Sequence, residues 1–536
     1  MSNHIIIQNN FSIVAETRNP LFKEIRQNLI KFCELDQCSD AVYIFKVTDL
    51  SIWNALSIGV TKGFILDTLN AYSEIPLNVL ESISLWVNNF GKVILTKQND
   101  TQFKLTIKNN ELLEKITNNQ SLTSIGEKIN SSEFIISNTY RAEVKSLFIS
   151  IGYPVEDIIG YTSGNDLEVS LKQDIVIRDY QRLASEAVYQ GGNGTVILPC
   201  GSGKTLVGLD LISMCKTDTL ILTNSQASVK QWKKSLLKMT SLTEEHISTY
   251  DKTNKEIKPV TITTYNMASY RNKNNSFIHF DKIMTNHWGL VIYDEVHLMP
   301  ANMFRVSASF QSLRRMALTA TFIREDHREK EVFTLIGPKR HEAAWKEMEN
   351  QGYISKISLN EIRVEMSSLD HESYKNSSRV QEKFEIASMN TNKIDMIRSL
   401  INKHPNDKIL IIGQFTDQLK QISKDLNVPM VIGETSNIKR EELYDALRNN
   451  NLNILVASKV ANAALDIPNL NVVIQVSFQY GSRNEEAQRV GRATRPKNVP
   501  AYFYTLVSKN TLEEHFNFNR KRFLTNEGYN YELKIA

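Results

Sequence analysis

Leu198-Pro-Cys-Gly-Ser-Gly-Lys204-Thr205 follows the apolar run Thr195-Val-Ile, and Val291-Ile-Tyr-Asp294-Glu295-Val-His297 comes about ninety residues later. A strand, a glycine loop and a helix form a cradle for phosphates. Gly201, Ser202 and Gly203 let the backbone curl so that its N–H groups face phosphate oxygens. Lys204 then reaches the β and γ phosphates, and Thr205 offers a hydroxyl to Mg²⁺. The helix beginning at Lys204 adds its positive end. Leu198 stands where the strict pattern has its first glycine. Asp294 ends an apolar strand, where a carboxylate holds Mg²⁺ through water. Glu295 beside it is placed to orient and deprotonate the attacking water. Each motif has a plain alternative: a helix N-terminus for the first, two solvated charges for the second. Together and in this order they predict ATP hydrolysis with Mg²⁺.

The surrounding texture predicts the fold. Thr195-Val-Ile-Leu, Leu220-Ile-Leu-Thr, Val260-Thr-Ile-Thr, Leu290-Val-Ile-Tyr and Met316-Ala-Leu-Thr suit parallel strands buried on both faces. A second series follows: Ile409-Leu-Ile-Ile, Ile454-Leu-Val-Ala, Val472-Val-Ile-Gln-Val and Tyr502-Phe-Tyr-Thr-Leu-Val. Helical stretches between the runs imply α/β layers. The expectation is two tandem α/β domains with parallel sheets, residues 173–345 and 346–536. Only the first carries a phosphate loop, which suggests a nucleotide held in the cleft between them. Gln488-Arg-Val-Gly-Arg492-Ala-Thr-Arg495 reads as a helix with Arg492 and Arg495 on one face. A guanidinium brought across the cleft would neutralise charge on the γ-phosphate. The plain alternative is an exposed basic face.

Upstream, apolar residues three and four apart predict helices over residues 51–58, 63–69 and 79–87, followed by a short strand at Lys92–Lys97. Residues 1–97 are thus a helical, winged-helix-like domain or a plain helical packing domain. Residues 98–172 read as a small α+β module, a candidate DNA-sensing one.

A length of 536 residues suits roughly three or four domains. The net charge of +4 neither announces nor excludes a nucleic-acid channel. Cys33, Cys38, Cys200 and Cys215 are too few for a disulfide framework. No second Cys/His pair completes a zinc site with the first two. No secretory signal opens the sequence, and no apolar run nears the roughly 18 residues of a membrane span. A cytoplasmic protein is expected, or a nuclear one in a eukaryote, with no membrane partner.

These residues resemble a superfamily 2 helicase of the XPB family. Asp294-Glu-Val-His297 matches the family's DEVH box, and Leu318-Thr-Ala-Thr321 its motif III. Ile323-Arg324-Glu325-Asp326 matches the RED motif, which few other helicases carry. Leu335-Ile-Gly-Pro-Lys339, Gly352-Tyr-Ile-Ser-Lys356, Ser458-Lys-Val, Asp466-Ile-Pro468 and Gln488–Arg495 extend the match. So does Phe45-Lys-Val-Thr-Asp-Leu-Ser-Ile-Trp53 upstream. The resemblance implies two tandem RecA-like domains preceded by N-terminal modules. It also implies an ATP-dependent DNA helicase or translocase moving 3′ to 5′ in DNA repair or transcription opening.

The resemblance further implies residue roles. Arg178, Tyr180 and Gln181 look like the adenine-recognition motif, and Asp466 would sit at the nucleotide's sugar. Gln488, Arg492 and Arg495 would complete the catalytic set of Lys204, Asp294 and Glu295. Ser225, Trp232 and Thr264 lie in motifs that touch the DNA backbone, as does Ser458. Thr319 and Thr321 would couple hydrolysis to domain movement. Arg324, Glu325 and Asp326 would act at the separating duplex; on pattern alone they are a helix start with surface ion pairs.

Three departures from the family pattern stand out. Ala464 replaces a glycine common in superfamily 2. Residues 366–393 occupy the place of the thumb insertion, yet read as polar surface. The long acidic insertion of eukaryotic members is missing. The expected partner is duplex or forked DNA, bound without regard to sequence. A nuclease or repair protein is a further expectation. Two other functions share the same motifs: a DNA-stimulated ATPase switch without unwinding, and an RNA-acting helicase.

Overall fold

The computed structural model describes residues 4–38, 41–99, 101–117, 126–137, 140–159, 162–272, 277–300, 303, 310, 312–321, 335–458, 467, 469–479, 483–495 and 499–535. It divides into two compact units. One is Met1–Ile197 with Lys204–Ala343; the other is Leu198–Gly203 with Ala344–Ala536.

The first unit is built on a seven-stranded parallel sheet. Its order is Ile247–Tyr250, Val260–Thr264, Thr219–Thr223, Leu290–Asp294, Arg314–Thr319, Asn193–Ile197 and Lys339–Glu342. The five inner strands are those the apolar runs predict. Thr219–Thr223, Val260–Thr264 and Asn193–Ile197 are buried at every position, as strands covered on both faces require. The two edge strands, Ile-Ser-Thr-Tyr and Lys-Arg-His-Glu, carry no such run.

Register places the chemistry. Ile197, at the mouth of the phosphate loop, lies opposite Thr319. Asp294 lies opposite Leu318 on the other side of the same strand. Three carboxyl ends therefore stop at one level, where open parallel sheets bind ligands.

The second unit has its own seven-stranded parallel sheet, in the order Met430–Val431, Ile454–Ala457, Lys408–Ile412, Leu470–Gln475, Ala501–Ser508, Ile357–Val364 and Tyr531–Ile535. The helix Arg483–Ala493 packs on Leu470–Gln475, Ala501–Ser508 and the helix Leu512–Asn526. Helices Ser368–Asn376 and Val380–Ser388 fill the expected thumb position and pack on each other. The second also leans on Leu512–Asn526.

The N-terminal part differs from the helical expectation in one respect. Helices Asp49–Ser57, Lys62–Tyr72 and Leu77–Asn89 are present, but they share a core with an antiparallel sheet of Ile6–Ile7, Ser12–Glu16, Val42–Lys46 and Glu34–Cys38. The strand Val93–Lys97 does not join that sheet. It pairs with Gln102–Ile107 and Val155–Asp157 in the next module, a sheet completed by Glu133–Ser137 and Gly126–Lys128. Its alternate residues Val93 and Leu95 are fully buried there with Phe103, Leu105 and Phe134.

Candidate active site

The phosphate loop has the backbone its sequence promises. Gly201 and Gly203 adopt φ of 82° and 89°, the left-handed region that only glycine enters freely. The helix Lys204–Cys215 starts at once, with Thr205 in its first turn. Farther along, a Cβ on Gly208 would come 2.5 Å from the indole of Trp232, so this glycine lets the ring lie against the helix.

Several side chains meet at the carboxyl ends of the first sheet. Lys204 Nζ stands 3.3 Å from Glu295 Oε1. The Trp232 indole N–H donates to Asp294 Oδ2 at 2.9 Å, and the Tyr265 hydroxyl donates to the Asp294 carbonyl at 2.8 Å. His297 Nδ1 lies 2.8 Å from Thr319 Oγ1 and 3.4 Å from Glu295 Oε2. Thr319 Oγ1 also lies 2.6 Å from the Thr321 carbonyl and donates to it. That bond consumes the threonine proton, so we assign His297 Nδ1 as protonated and donating to Thr319.

Glu295 itself sits at φ 51°, ψ 51°. A left-handed non-glycine residue costs about 1 kcal/mol or more and persists only where its surroundings hold it. Here Lys204 and His297 flank the carboxylate. The Asp294 carboxyl is pushed up to about 6, first by burial and then by the charge of Glu295; the Trp232 N–H and Lys204 oppose the shift. A paired acid in this state favours a cation. The left-handed loop, helix start, ammonium and strained carboxylate pair are a donor set that fits a triphosphate with a divalent ion.

Several other expected residues serve local structure as well. Ser225 Oγ caps the helix Gln226–Met239 by accepting from Ser228 N–H. Thr264 Oγ1 caps the helix Tyr265–Ala268 by accepting from Met267 N–H. Trp232 is only 1% exposed, so its ring holds Asp294 from beneath and does not offer a surface to a strand. Ser458 and Thr321 are also buried. Gln181 Oε1 accepts from the Arg178 N–H at 3.0 Å, and the Arg178 guanidinium lies 3.4 Å from the Tyr180 hydroxyl. Asp466, Arg324, Glu325 and Asp326 fall outside the described residues.

In the second unit the helix ends at Ala493, so Arg495 lies beyond it and does not share its face with Arg492. Gln488 and Arg492, four apart, do share a face and are half-buried. Within this unit, Ser355 Oγ donates to the Arg495 carbonyl at 2.7 Å. A Cβ on Gly491 would fall 2.2 Å from that of Cys200, and one on Gly201 would lie 3.3 Å from Arg495.

A buried ionic network anchors the same helix. Arg489 pairs with Glu485 at 2.7 Å, while Arg520 pairs with Glu485 at 2.6 Å and Glu486 at 2.7 Å. Gln475 Oε1 accepts from both arginines, and the Tyr531 hydroxyl donates to Glu486. Burial alone would raise the Glu485 carboxyl, but Arg489 and Arg520 hold it at about 2.

The roles of His297, Tyr265 and Trp232 toward the carboxylate pair were not legible in the sequence. The only local hint was their position inside or just after motif strands.

Comparison with known proteins adds to this geometry. The model of the ERCC3/RAD25/XPB C-terminal helicase matches residues 348–535. A helicase conserved C-terminal domain matches residues 5–129, and the res subunit of type III restriction enzymes matches residues 174–324. The chain is 38% identical over 538 residues to the DNA 3′-5′ helicase XPB of Mycobacterium tuberculosis, covering 99% of this chain and 98% of the relative. It is 37% identical to the same-named protein of Kineococcus radiotolerans, covering 99% and 96%. It is 34% identical to the general transcription and DNA repair factor IIH helicase/translocase subunit XPB of Enterocytozoon bieneusi, covering 96% and 90%. Among solved structures, a fragment of a candidate HsdR subunit of a type I restriction enzyme from Vibrio vulnificus aligns with TM-score 0.50 and 16% identity. That match covers 68% of this chain and 69% of that one, and speaks to the fold alone.

Proposed function

Because the chain belongs to the XPB helicase family, we propose that its phosphate loop, its Asp294–Glu295 pair and its Gln488–Arg495 segment form one motor driven by ATP on DNA. The chain is an ATP-dependent DNA helicase built on two RecA-like domains, and DNA repair is its setting. The observation that carries the residue roles is the 3.3 Å pairing of Lys204 with Glu295 beside a left-handed phosphate loop.

Bound ATP with Mg²⁺ supplies the scissile phosphoanhydride and neutralises part of its charge. Lys204 and the loop N–H groups would grip the phosphates, and Thr205 and Asp294 would hold the ion. A phosphate that draws the Lys204 ammonium to itself leaves Glu295 free to take a proton from water. His297 Nδ1 lies beside both Glu295 and Thr319, so a change of charge at the base is felt at the Thr319–Thr321 segment. Gln488, Arg492 and Arg495 form the second wall and meet charge on the γ-phosphate. Arg178 and Gln181 face the adenine, and Asp466 the sugar.

Several finer points belong to the same proposal. Movement runs 3′ to 5′, as the names of the two bacterial relatives state for those proteins. Arg324, Glu325 and Asp326 act at the separating duplex, and Ser225, Thr264 and Ser458 lie along the strand path. The helix pair at residues 368–388 carries Lys375, Arg379 and Lys383 and grips the backbone. Residues 98–172 sense DNA, and a nuclease or repair protein is the partner. Among the described residues no helix is long and apolar enough to cross a membrane.

The test is ATPase and strand displacement on forked, 3′-tailed and blunt DNA, with RNA as a comparison. Displacement from the 3′ tail with DNA-stimulated turnover is expected. DNA-stimulated turnover with neither displacement nor translocation would leave an ATPase switch, and stimulation by RNA alone would sink the DNA reading.

A further inference from the structure

The edge strand Ile247–Tyr250 and its neighbour Val260–Thr264 end side by side, with Tyr250 opposite Thr263. Beyond those ends is a group of side chains that the ATP site does not use. Lys255 Nζ stands 4.9 Å from the centre of the Tyr250 ring, 3.8 Å from the Met267 sulfur and 3.5 Å from His279 Nδ1. The Tyr250 hydroxyl and His279 Nδ1 are 3.1 Å apart. The Tyr270 ring lies 5.6 Å from the His279 ring at 41° and is 51% exposed. Lys282 is exposed nearby, close enough for its charge to weigh on both Lys255 and His279.

Two features separate this cluster from ordinary surface. Like charges are gathered here: Lys255 and Lys282 bear on each other and on His279. His279 is held below its ordinary value by burial and by both lysines, so the imidazole is neutral at physiological pH. The acid closest in charge, Asp251, turns its carboxylate into its own loop and accepts from Thr253 N–H, the Thr253 hydroxyl and Asn254 N–H. Asp251 bears on Lys255 as well, but its hydrogen bonds are to its own loop, and two lysines gathered beside an imidazole fit an anionic polymer. The second feature is an aromatic face backed by an imidazole. The tilted pair leaves one face of the half-exposed Tyr270 ring open to a further flat group.

We propose that Tyr270, supported by His279, stacks an unpaired base of the bound DNA strand while Lys255 and Lys282 attract the adjoining phosphates. This rests on the DNA-helicase reading and deepens it: the motor holds one base face at this point, in addition to backbone contacts. Stacking is sequence-tolerant because every base presents a π-face, so the contact costs the motor none of its indifference to sequence. It also discriminates by structure, since bases inside a blunt duplex are already stacked.

The test uses the full chain and a 3′-tailed DNA carrying 2-aminopurine at successive tail positions. Wild type should quench the fluorophore at one or two positions. Tyr270→Phe should preserve the quench. Tyr270→Ala should abolish it and weaken single-strand binding about tenfold, the scale of one stacked base, with blunt-duplex binding and DNA-independent ATPase unchanged. Lys255→Ala should weaken tail binding and flatten its salt dependence while leaving the quench at saturating DNA. Unchanged quenching in Tyr270→Ala overturns the proposal. An equal loss on tailed and blunt DNA overturns it too, because it marks a phosphate contact or a structural role. If wild type shows no DNA-stimulated ATPase at all, the helicase reading fails first, and that result is distinct from either outcome at Tyr270.

Discussion

The hydroxyl of Tyr265 donates a 2.8 Å hydrogen bond to the main-chain carbonyl of Asp294. Tyr265 is the first residue of the short helix capped by Thr264. Asp294 is the acid proposed to hold the ion at the nucleotide. One bond therefore joins the backbone of the carboxylate pair to the segment expected along the DNA, and Glu295, the next residue, is in left-handed conformation. A shift of the helix acts next to a residue held in left-handed backbone.

Tyr265→Phe removes that bond and keeps the ring, which is 1% exposed in the core. The lost hydrogen bond corresponds to about 1 kcal/mol, or roughly fivefold. The expected result is a DNA-stimulated ATPase reduced about that much, with DNA-independent turnover less affected. Steady-state ATPase against DNA concentration reads it out. Equal loss in both rates would mean that the bond only supports the fold.

Trp232→Phe takes away the indole N–H that, with the Glu295 main-chain N–H, favours the charged form of Asp294. The carboxyl, already near 6, should rise further, because a hydrogen bond to the ionised state has been lost. The acidic limb of the ATPase pH profile should therefore move toward neutrality, and the Mg²⁺ requirement should increase. A pH–rate series at saturating ATP checks the direction; an unmoved limb would detach Trp232 from Asp294.

Lys204→Ala should abolish hydrolysis by removing the phosphate grip. Glu295→Gln should still bind ATP yet turn over about 10²- to 10⁴-fold more slowly, the usual contribution of a positioned base. Nucleotide binding by fluorescence and single-turnover hydrolysis separate the two steps. Near-normal turnover in Glu295→Gln would remove it from the role of base.

The second unit should lose stability in acid over a defined window. Glu485 is held at about 2 against an ordinary 4.5, and a depressed carboxyl stabilises the fold above its unfolded value and ceases to do so as pH falls through the folded one. Stability from this group should be constant above about pH 5 and decline between about 4.5 and 2. Arg520→Met leaves Glu485 and Glu486 buried with one cation fewer and should cost about 3–5 kcal/mol, as breaking a buried pair does. Thermal unfolding followed at several pH values tests both statements.

The sequence by itself determined the α/β class, the five inner strands of the first sheet, four of the five inner strands of the second, and the identity of the phosphate loop and carboxylate pair. Those features are local: an inner parallel strand must be apolar throughout, and a phosphate loop needs its glycines, lysine and threonine in consecutive positions. The strands it left unnamed are the edges, Ile247–Tyr250, Lys339–Glu342, Met430–Val431 and Tyr531–Ile535, together with Ile357–Val364 beside one edge. Edge strands are covered on fewer sides, so their residues alternate or are plainly polar and resemble loops. Only the tertiary structure decided that Trp232 and Tyr265 hold Asp294, that His297 joins Glu295 to Thr319, and that Tyr270, Lys255 and His279 meet. Trp232, Tyr265 and Asp294, like His297 and Thr319, come from different strands or the segments after them, and the packing of the whole sheet sets the register that brings them together.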